Sequence, residues 1–242
     1  MPTIDTELAI DLLDYFGTIE GQLRSYSDFH SSLEEYLNSR DRELDREMET
    51  KLEKFPRTYH SEIIEDRASE DFHFESKYKS IHRGSLVVII YGFFEYQLNE
   101  FCLLLTKILK NKETFEDFKN SNKDRGFKLC CSYLEKMDCF NLTRIEKQIK
   151  YIQDINLFRN IVTHNGSVLI SENIKDSKRK RKEAKRRIRF VSDNDYLDGE
   201  PDKVVFIHSE FIDELLGYLV VFFKEIEKEV LNYVNENDCF LH

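Results

Sequence analysis

The sequence predicts an all-α fold: a helical bundle with a long helical N-terminal extension and a small β-hairpin before the last helix. Only 8 Gly and 3 Pro occur in 242 residues, which leaves few turn signals for a β-rich fold. Two apolar runs, LVVIIYGFF (86–94) and LLGYLVVFF (215–223), are too short to span a membrane and are typical of buried core helices. Near the N-terminus, apolar residues recur at helical spacing. We therefore expect an extension over residues 1–75 and a bundle over residues 76–242.

The extension begins with a helix predicted over residues 5–54. Its second half, LEEYLNSRDRELDREMETKLEKF (33–55), is dense in charge and poor in apolar residues. Such a helix is typical of a coiled coil or of an exposed helix that packs on a partner. Pro56 interrupts the pattern, and the polar residues 57–78 are expected to form a short helix within a connecting loop. The apolar stripe of the first half consists of Leu8, Leu12, Leu13, Phe16, Ile19 and Leu23.

Four further helices are predicted for the bundle. The first is apolar on nearly every face, as a central helix should be, and its single acid in this apolar run, Glu95, needs a basic or hydrogen-bonding partner. The third carries a regular stripe of isoleucines; Asn141 or Thr143 can cap its start, and Gly166 is placed to end it. The four helices are predicted over residues 80–110, 125–137, 143–164 and 209–235.

The predicted β-hairpin lies just before the last helix. RIRFV (187–191) and KVVFI (203–207) are two short apolar-rich runs, which we interpret as alternating strand patterns. Between them lies SDNDYLDGEP (192–201), which is rich in turn-forming residues. The two runs are therefore expected to pair as short strands.

Composition argues against several classes of protein. Five Cys form an odd set without a CxxC pair, so neither a disulfide framework nor a zinc ribbon is indicated, and a cytoplasmic setting is expected. The N-terminus has early acids and no basic region, so it does not resemble a signal peptide. His60, His73 and His82 are widely spaced among acids and do not indicate a metal site. The sequence thus predicts no cofactor, no bound metal and no membrane association.

Basic residues are concentrated in one segment, KDSKRKRKEAKRRIRF (175–190), within an insertion predicted at about 171–203. Ten Lys or Arg face two acids there, so the segment carries +8 and the rest of a chain of net charge −10 carries −18. Such a segment could follow an RNA backbone through salt-sensitive contacts, or it could be a solvated loop. The residues predicted to contact RNA are Lys178, Arg179, Lys180, Arg181, Lys182, Lys185, Arg186 and Arg187.

An Arg and a His stand five positions apart in RNIVTH (159–164), at the end of the third bundle helix. Spacing alone is a weak signal, since looser pairs such as Arg67 and His73 also occur. An ordinary explanation would be an Arg paired with an acid and a His favoured by the helix dipole. The setting is distinctive, however, because Asn160 follows Arg159 directly and a helix-ending Asn-Gly pair follows His164.

Together with the apolar run LVVIIYGFFEYQLNEF (86–101), this motif resembles the HEPN superfamily. Ribonuclease members of that family are helical bundles with an Arg, a following polar residue, and a His after four to six intervening positions. The resemblance covers roughly residues 80–170 and implies an HEPN-like bundle that cleaves RNA as a homodimer with a composite site. It also implies a toxin or anti-phage effector with an antitoxin or defence-system partner. The implied catalytic residues are Arg159 and His164.

The chemistry expected of this pair needs no metal, because RNA carries its own nucleophile, the 2′-hydroxyl. A His can take and give a proton near neutral pH, and an Arg fork matches a phosphate. Five residues along a helix amount to about 500°, so the two side chains do not share a face and a second copy of the chain would complete the site. We expect two copies of His164 as base and acid, Arg159 on the phosphate, Asn160 as a positioning residue, and Glu95 either beside Arg159 or as a structural acid.

The expected products are a 2′,3′-cyclic phosphate and a free 5′-hydroxyl. Two other interpretations are open from sequence. One is a non-catalytic HEPN module that binds RNA or serves as an interaction subunit in a toxin–antitoxin or defence complex. The other is a helical scaffold whose charged N-terminal helix forms a coiled coil, with its largest interface at residues 30–54.

Overall fold

The computed structural model describes residues 6–109, 113–137, 141–169 and 178–236. This part of the chain contains eight α-helices and one two-stranded sheet, which confirms the predicted all-α class. The helices are α1 (Thr6–Lys54), α2 (His60–His73), α3 (Ser80–Leu109), α4 (Phe115–Ser121), α5 (Gly126–Lys136), α6 (Glu146–Asn165), α7 (Lys178–Ser192) and α8 (Ser209–Glu236), and the strands are β1 (Leu197–Asp198) and β2 (Phe206–Ile207).

The chain forms two compact units. The first unit comprises Met1–Ser25, Ile89–Phe158 and Glu214–His242, and the second comprises Tyr26–Val88 and Arg159–Asp213. Four long helices, α1, α3, α6 and α8, contribute residues to both units. The boundary predicted between an extension and a bundle therefore falls inside the second unit.

Aromatic side chains build the core of the first unit, as expected for a chain with 19 Phe and no Trp. The ring of Phe94 on α3 meets those of Phe127, Phe222 and Phe223 with centroids 5.3–5.6 Å apart. Burying each such ring stabilises the fold by about 1.5–3 kcal/mol. The most apolar helix of the sequence is thus the packing centre of this unit.

Helix α3 also has the length and hydropathy of a membrane span over Ser80–Lys107. A buried core helix meets the same criteria. Three of its large apolar side chains, Ile90, Phe94 and Leu98, are completely buried by the rest of the protein. Packing within the protein therefore accounts for much of the apolar character of α3.

Glu95 contributes to the start of α5 in the first unit. Its Oε1 accepts a hydrogen bond from the backbone N–H of Phe127, at 3.3 Å. Gly126 begins this helix with φ of +56°, and a Cβ at that position would clash with the carboxylate of Glu95. The hydrogen-bonding partner predicted for Glu95 is thus a backbone N–H in the first turn of α5, which has no acceptor within the helix itself.

The charged half of α1 has a partner within the same chain, helix α2. Arg67 of α2 is buried and donates from Nε to Asp45 (2.9 Å) and from Nη2 to Asp41 (2.6 Å). A π-helical segment, Phe74–Lys79, then joins α2 to α3. The prediction of a short helix inside a loop was wrong in this respect, because α2 continues into α3 without a break.

The predicted β-hairpin is half correct. Strands β1 and β2 pair antiparallel, with Leu197 opposite Ile207, so the second run, KVVFI, does supply a strand. The assignment of RIRFV as a strand was wrong, because these residues form the C-terminal part of α7. Ala184 and Val191 lie seven positions apart on one face of that helix and are both buried, which the local alternation of RIRFV concealed.

Candidate functional site

The last two turns of α6 carry the predicted catalytic residues. Arg159 and Asn160 are half-buried, whereas His164 is exposed. Ile161 between them is completely buried and anchors this part of the helix in the second unit. At the other end of the predicted helix, the side chain of Asn141 accepts a hydrogen bond from the Thr143 N–H at 3.2 Å and so caps a 3₁₀ turn, Leu142–Ile145, that leads into α6.

Helix α6 ends in a turn that fixes the backbone just after His164. Gly166 (φ 58°) and Ser167 (φ 64°) both adopt the left-handed conformation, which suits glycine and is uncommon for serine. The N–H of Ser167 donates back to the carbonyl of Ile161 at 3.2 Å. The predicted role of Gly166 in ending the helix is thereby confirmed.

The segment after this turn is attached to the chain that leads into β2. Leu169 donates to the carbonyl of Lys203 at 2.9 Å, and Val205 donates to the carbonyl of Ser167 at 2.8 Å. Val168 and Val204 form an antiparallel bridge between the same segments. The end of α6 is therefore held by a short β-ladder on its C-terminal side.

The last turns of α6 also pack closely on α3. Gly84 of α3 has so little space that a Cβ there would lie 3.2 Å from Cγ1 of Val162. The Cδ1 of Ile207 would lie at 3.9 Å from the same position. Close helix contact and the β-ladder together fix the backbone that carries Arg159 and His164.

The two catalytic candidates lie on different faces of α6, as their five-residue spacing requires. Within the part of the chain that the structure describes, the imidazole of His164 makes no hydrogen bond or ion pair. Glu95 belongs to the first unit and Arg159 to the second. The predicted contact between Glu95 and Arg159 stays a prediction.

Helix α7 carries most of the basic segment. Nine of its 15 residues are Lys or Arg, and the only acid is Glu183. Helix α7 takes the place of the solvated loop that was considered from the sequence. Within it, Arg187 is half-buried. The described residues do not include the side chain of Arg179 or residues 171–177 of the predicted insertion. The exposed basic residues among those predicted to bind RNA are Lys178, Lys180, Arg181, Lys182, Lys185 and Arg186.

The C-terminal end of α7 packs beside Val205, which is also bonded to the end of α6. A Cβ at Gly199 would lie 3.0 Å from both Val191 of α7 and Val205. Val205 in turn donates its N–H to the carbonyl of Ser167, just after α6. The basic helix and the Arg-His pair are thus linked through one short stretch of β-structure in the second unit.

A second group of polar side chains in this unit was missed by sequence analysis. His30 and Glu34 of α1 converge with His82 of α3, and all three are largely buried. Arg83 donates to both oxygens of Glu34 at 2.7 Å. His30 and Glu34 are four residues apart, and this spacing could have indicated a pair of polar side chains on one face of the predicted helix. His82 was instead grouped with His60 and His73, which lie near it in sequence.

Burial and charge shift the acid–base properties of this group. Burial, and then the neighbouring His30, lower the pKa of His82 below its ordinary value, against a smaller opposing effect of Glu34. Burial alone would raise the pKa of Glu34, but the hydrogen bonds and charge of Arg83, with His30 and His82, lower it. At neutral pH the group therefore holds a neutral His82 imidazole and an ionised carboxylate.

A pocket of about 250 Å³ also lies in the second unit. Its residues include His208, whose Nε2 lies 2.6 Å from Oδ2 of Asp198. A His oriented by a carboxylate can act as a proton acceptor. The pocket's Arg83, however, already donates to Glu34 and to the carbonyl of Ile207, so its charge is committed to holding the fold.

Comparison with known proteins adds no family. A scan against protein-family models, a search of curated proteins and a search of solved structures each found no match.

Proposed function

We propose that this chain is a HEPN-type endoribonuclease that cleaves RNA without a metal and acts as a homodimer in the cytoplasm. The observation that carries the proposal is the end of α6, where an exposed His164 and a half-buried Arg159 stand on a backbone held by α3 and by a β-ladder. A catalytic group must be held in place while its reactive atoms stay accessible. This helix end meets both requirements.

Each residue has a role that its chemistry supports. The imidazole of His164 takes the proton of the ribose 2′-hydroxyl, and the imidazole of the second protomer gives a proton to the leaving 5′-oxygen. Arg159 donates to the phosphate as negative charge builds on it. Asn160 positions the RNA or its neighbours. The 2′-oxygen then displaces the 5′-oxygen, which leaves a 2′,3′-cyclic phosphate and a 5′-hydroxyl.

Helix α7 supplies the affinity for RNA in this proposal. Its exposed Lys and Arg side chains lie on a helix whose C-terminal end is fixed on the same β-structure as the end of α6. Cationic side chains on a rigid element can contact successive phosphates without reading the base sequence. A toxin or anti-phage effector, restrained by an antitoxin or defence-system partner, is the biological role that suits such an activity.

The same basic helix favours a second candidate function, a non-catalytic HEPN module that binds RNA or a complex partner. Phosphate binding by α7 does not require that His164 act on the RNA. The two candidates are separated by cleavage rather than by binding.

Cleavage of a labelled single-stranded RNA in EDTA tests the proposal. We expect cleavage by the wild-type protein and products with 2′,3′-cyclic phosphate and 5′-hydroxyl ends. Circular dichroism recorded in the same buffer keeps a loss of fold distinct from a loss of chemistry. RNA binding without cleavage supports the non-catalytic module. Products with 5′-phosphate ends, or loss of cleavage in EDTA by protein that is still folded, would rule out the mechanism.

A further inference from the structure

Three potential metal ligands converge in the second unit, and none of them belongs to the proposed RNA-cleaving pair. His30 and Glu34 lie on one face of α1, and His82 lies on α3. His30 is 2% exposed and Glu34 is 8% exposed. One ligand atom from each residue lies within 4.8 Å of the other two. Within the described ranges, this is the one group of His, Cys, Asp or Glu side chains that meets that criterion.

The spacing of the two imidazoles fits a shared ion. A zinc ion with tetrahedral bonds of about 2.0–2.1 Å sets its ligand atoms about 3.3 Å apart. Nδ1 of His30 and Nε2 of His82 are separated by 3.3 Å, and their rings are nearly parallel at 21°. Oε1 of Glu34 lies 4.0 Å from Nε2 of His82, so a small rotation of the carboxylate completes a three-ligand set.

Outer contacts already orient each ligand. Nε2 of His30 lies 3.0 Å from the carbonyl of Ser209 at the start of α8. A proton on that nitrogen donates to the carbonyl and leaves the lone pair of Nδ1 directed at the group. A His held by a backbone carbonyl in this way is the usual arrangement around a protein-bound metal.

The positive charge of Arg83 repels a cation at this site, but Arg83 does not use every lone pair of the Glu34 carboxylate. Its two hydrogen bonds use one lone pair on each oxygen of Glu34, and each carboxylate oxygen has a second lone pair. Together, Arg83, Glu34 and a divalent ion carry a net charge of +2. A zinc ion bound by three neutral imidazoles, which is a common protein site, has the same net charge.

We infer that His30, Glu34 and His82 bind one divalent transition-metal ion, with zinc the ion best matched to two imidazoles and one carboxylate. The ion ties α1 to α3 within the second unit, and a water molecule completes its tetrahedron. Binding requires the proton of His82 to reside on Nδ1, so that Nε2 faces the ion. The ion takes no part in RNA cleavage, so the site stands or falls independently of the proposed ribonuclease.

The ion-free alternative is a hydrogen bond from Nε2 of His82 to Nδ1 of His30. Metal analysis of untagged, full-length protein separates the two. We expect the wild-type protein, dialysed against Zn²⁺ and then against metal-free buffer, to retain one zinc per chain. We also expect His82→Gln and His30→Gln to weaken zinc binding by more than the about 10- to 100-fold that loss of an outer contact costs. His208→Gln, at the other His-carboxylate pair, is the matched control and should retain the zinc.

X-ray absorption of zinc-loaded wild-type protein keeps the inference testable if the variants do not fold. Two imidazole ligands with oxygen and without sulfur are expected. Sulfur ligands would instead implicate cysteines of the chain and overturn the assignment. Folded wild-type protein that retains no zinc, or zinc that is lost from His208→Gln and kept by His82→Gln, would overturn it as well.

Discussion

Two histidine-containing regions of the second unit are built in opposite ways. At the end of α6, His164 is exposed and stands with Arg159 on a single helix. In the buried group, His30 and His82 come from helices α1 and α3, and their partners include Glu34 and the carbonyl of Ser209. In the first region, the imidazole of His164 makes no hydrogen bond or ion pair with the described residues, while α3 and the β-ladder hold the backbone. In the second region, both nitrogens of His30, both carboxylate oxygens of Glu34 and Nε2 of His82 have partners within hydrogen-bonding distance.

The two kinds of construction suit different roles. An exposed side chain on a fixed backbone can meet a ligand, and its removal leaves the core intact. A buried, oriented polar group stabilises the fold only while all its members are present, because an unpaired buried charge is costly. Substitutions at the two regions should therefore separate chemistry from stability.

The largest effects are expected from the loss of His164, and mixed dimers of wild-type and His164→Ala chains test whether two copies share one cleft. If one cleft uses His164 from both chains, losing one of them should lower the cleavage rate by about 10²- to 10⁴-fold, the usual contribution of general acid–base catalysis. The rate is measured on dimers isolated with two different affinity tags. Mixed dimers with His73→Ala, an exposed His at the end of α2, should cleave normally. Half of the wild-type rate would show that each chain holds a complete site.

Arg83→Ala should reveal the buried group as a requirement of the fold. The substitution leaves Glu34 ionised without its bidentate partner and removes the bond to the carbonyl of Ile207. We expect the free energy of unfolding to fall by about 3–5 kcal/mol. Urea denaturation measures this free energy of unfolding. His164→Ala, a substitution at the exposed histidine, is the control and should lie within about 0.5 kcal/mol of wild type. Equal losses in the two variants would remove the distinction between the regions.

Gly166→Ala tests whether the turn after α6 holds the backbone under His164. A Cβ there meets no atom within 4 Å, so the cost comes from φ of +58° and should be about 1–2 kcal/mol in the free energy of unfolding. Gly21→Ala is the matched control, because Gly21 lies inside α1 with open space around it and should gain about 0.5–1 kcal/mol. Thermal or urea denaturation distinguishes the two. A gain in both variants would show that the turn is not constrained.

The smallest effect is expected from Lys182→Ala on α7. Removing one exposed cation should weaken RNA binding at low salt and reduce the slope of log affinity against log salt by about 0.7. Fluorescence anisotropy over a salt series measures the slope. Lys51→Ala, an exposed lysine at the end of α1, should leave it unchanged. An equal change from Lys51→Ala would mean that RNA binds the surface without preference for α7.

Local patterns predicted most of the fold. Within the described residues, the ranges of α1, α3, α5 and α8 agree with the predicted ones to one or two residues, because apolar periodicity and caps are read over a single turn or two. The prediction of a strand at RIRFV was wrong because a five-residue pattern can fit a strand. Over a longer stretch, the burial of Ala184 and Val191 on one face stabilises helix α7 instead. Tertiary packing overrode local pattern there.

One histidine region could be predicted from the sequence and the other could not, because only the first is contiguous in the chain. The first region is one short motif that contains Arg159, Asn160 and His164. These residues are close in the sequence, so their proximity can be recognised without a structure. His30 and His82 are 52 positions apart, and only the packing of α1 against α3 within the second unit brings their rings together. Periodicity gives the face of each helix but not which helices meet.

The most direct test of the central proposal is the single-turnover cleavage rate of His164→Ala with RNA saturated by protein. Saturation removes differences in binding, so the rate reports the chemical step alone. The proposal predicts a loss at least as large as that of the mixed dimers, about 10²- to 10⁴-fold, because both imidazoles are removed. The circular dichroism spectrum should be unchanged, and His73→Ala should cleave at the wild-type rate. A His164→Ala rate equal to that of the wild type would contradict it.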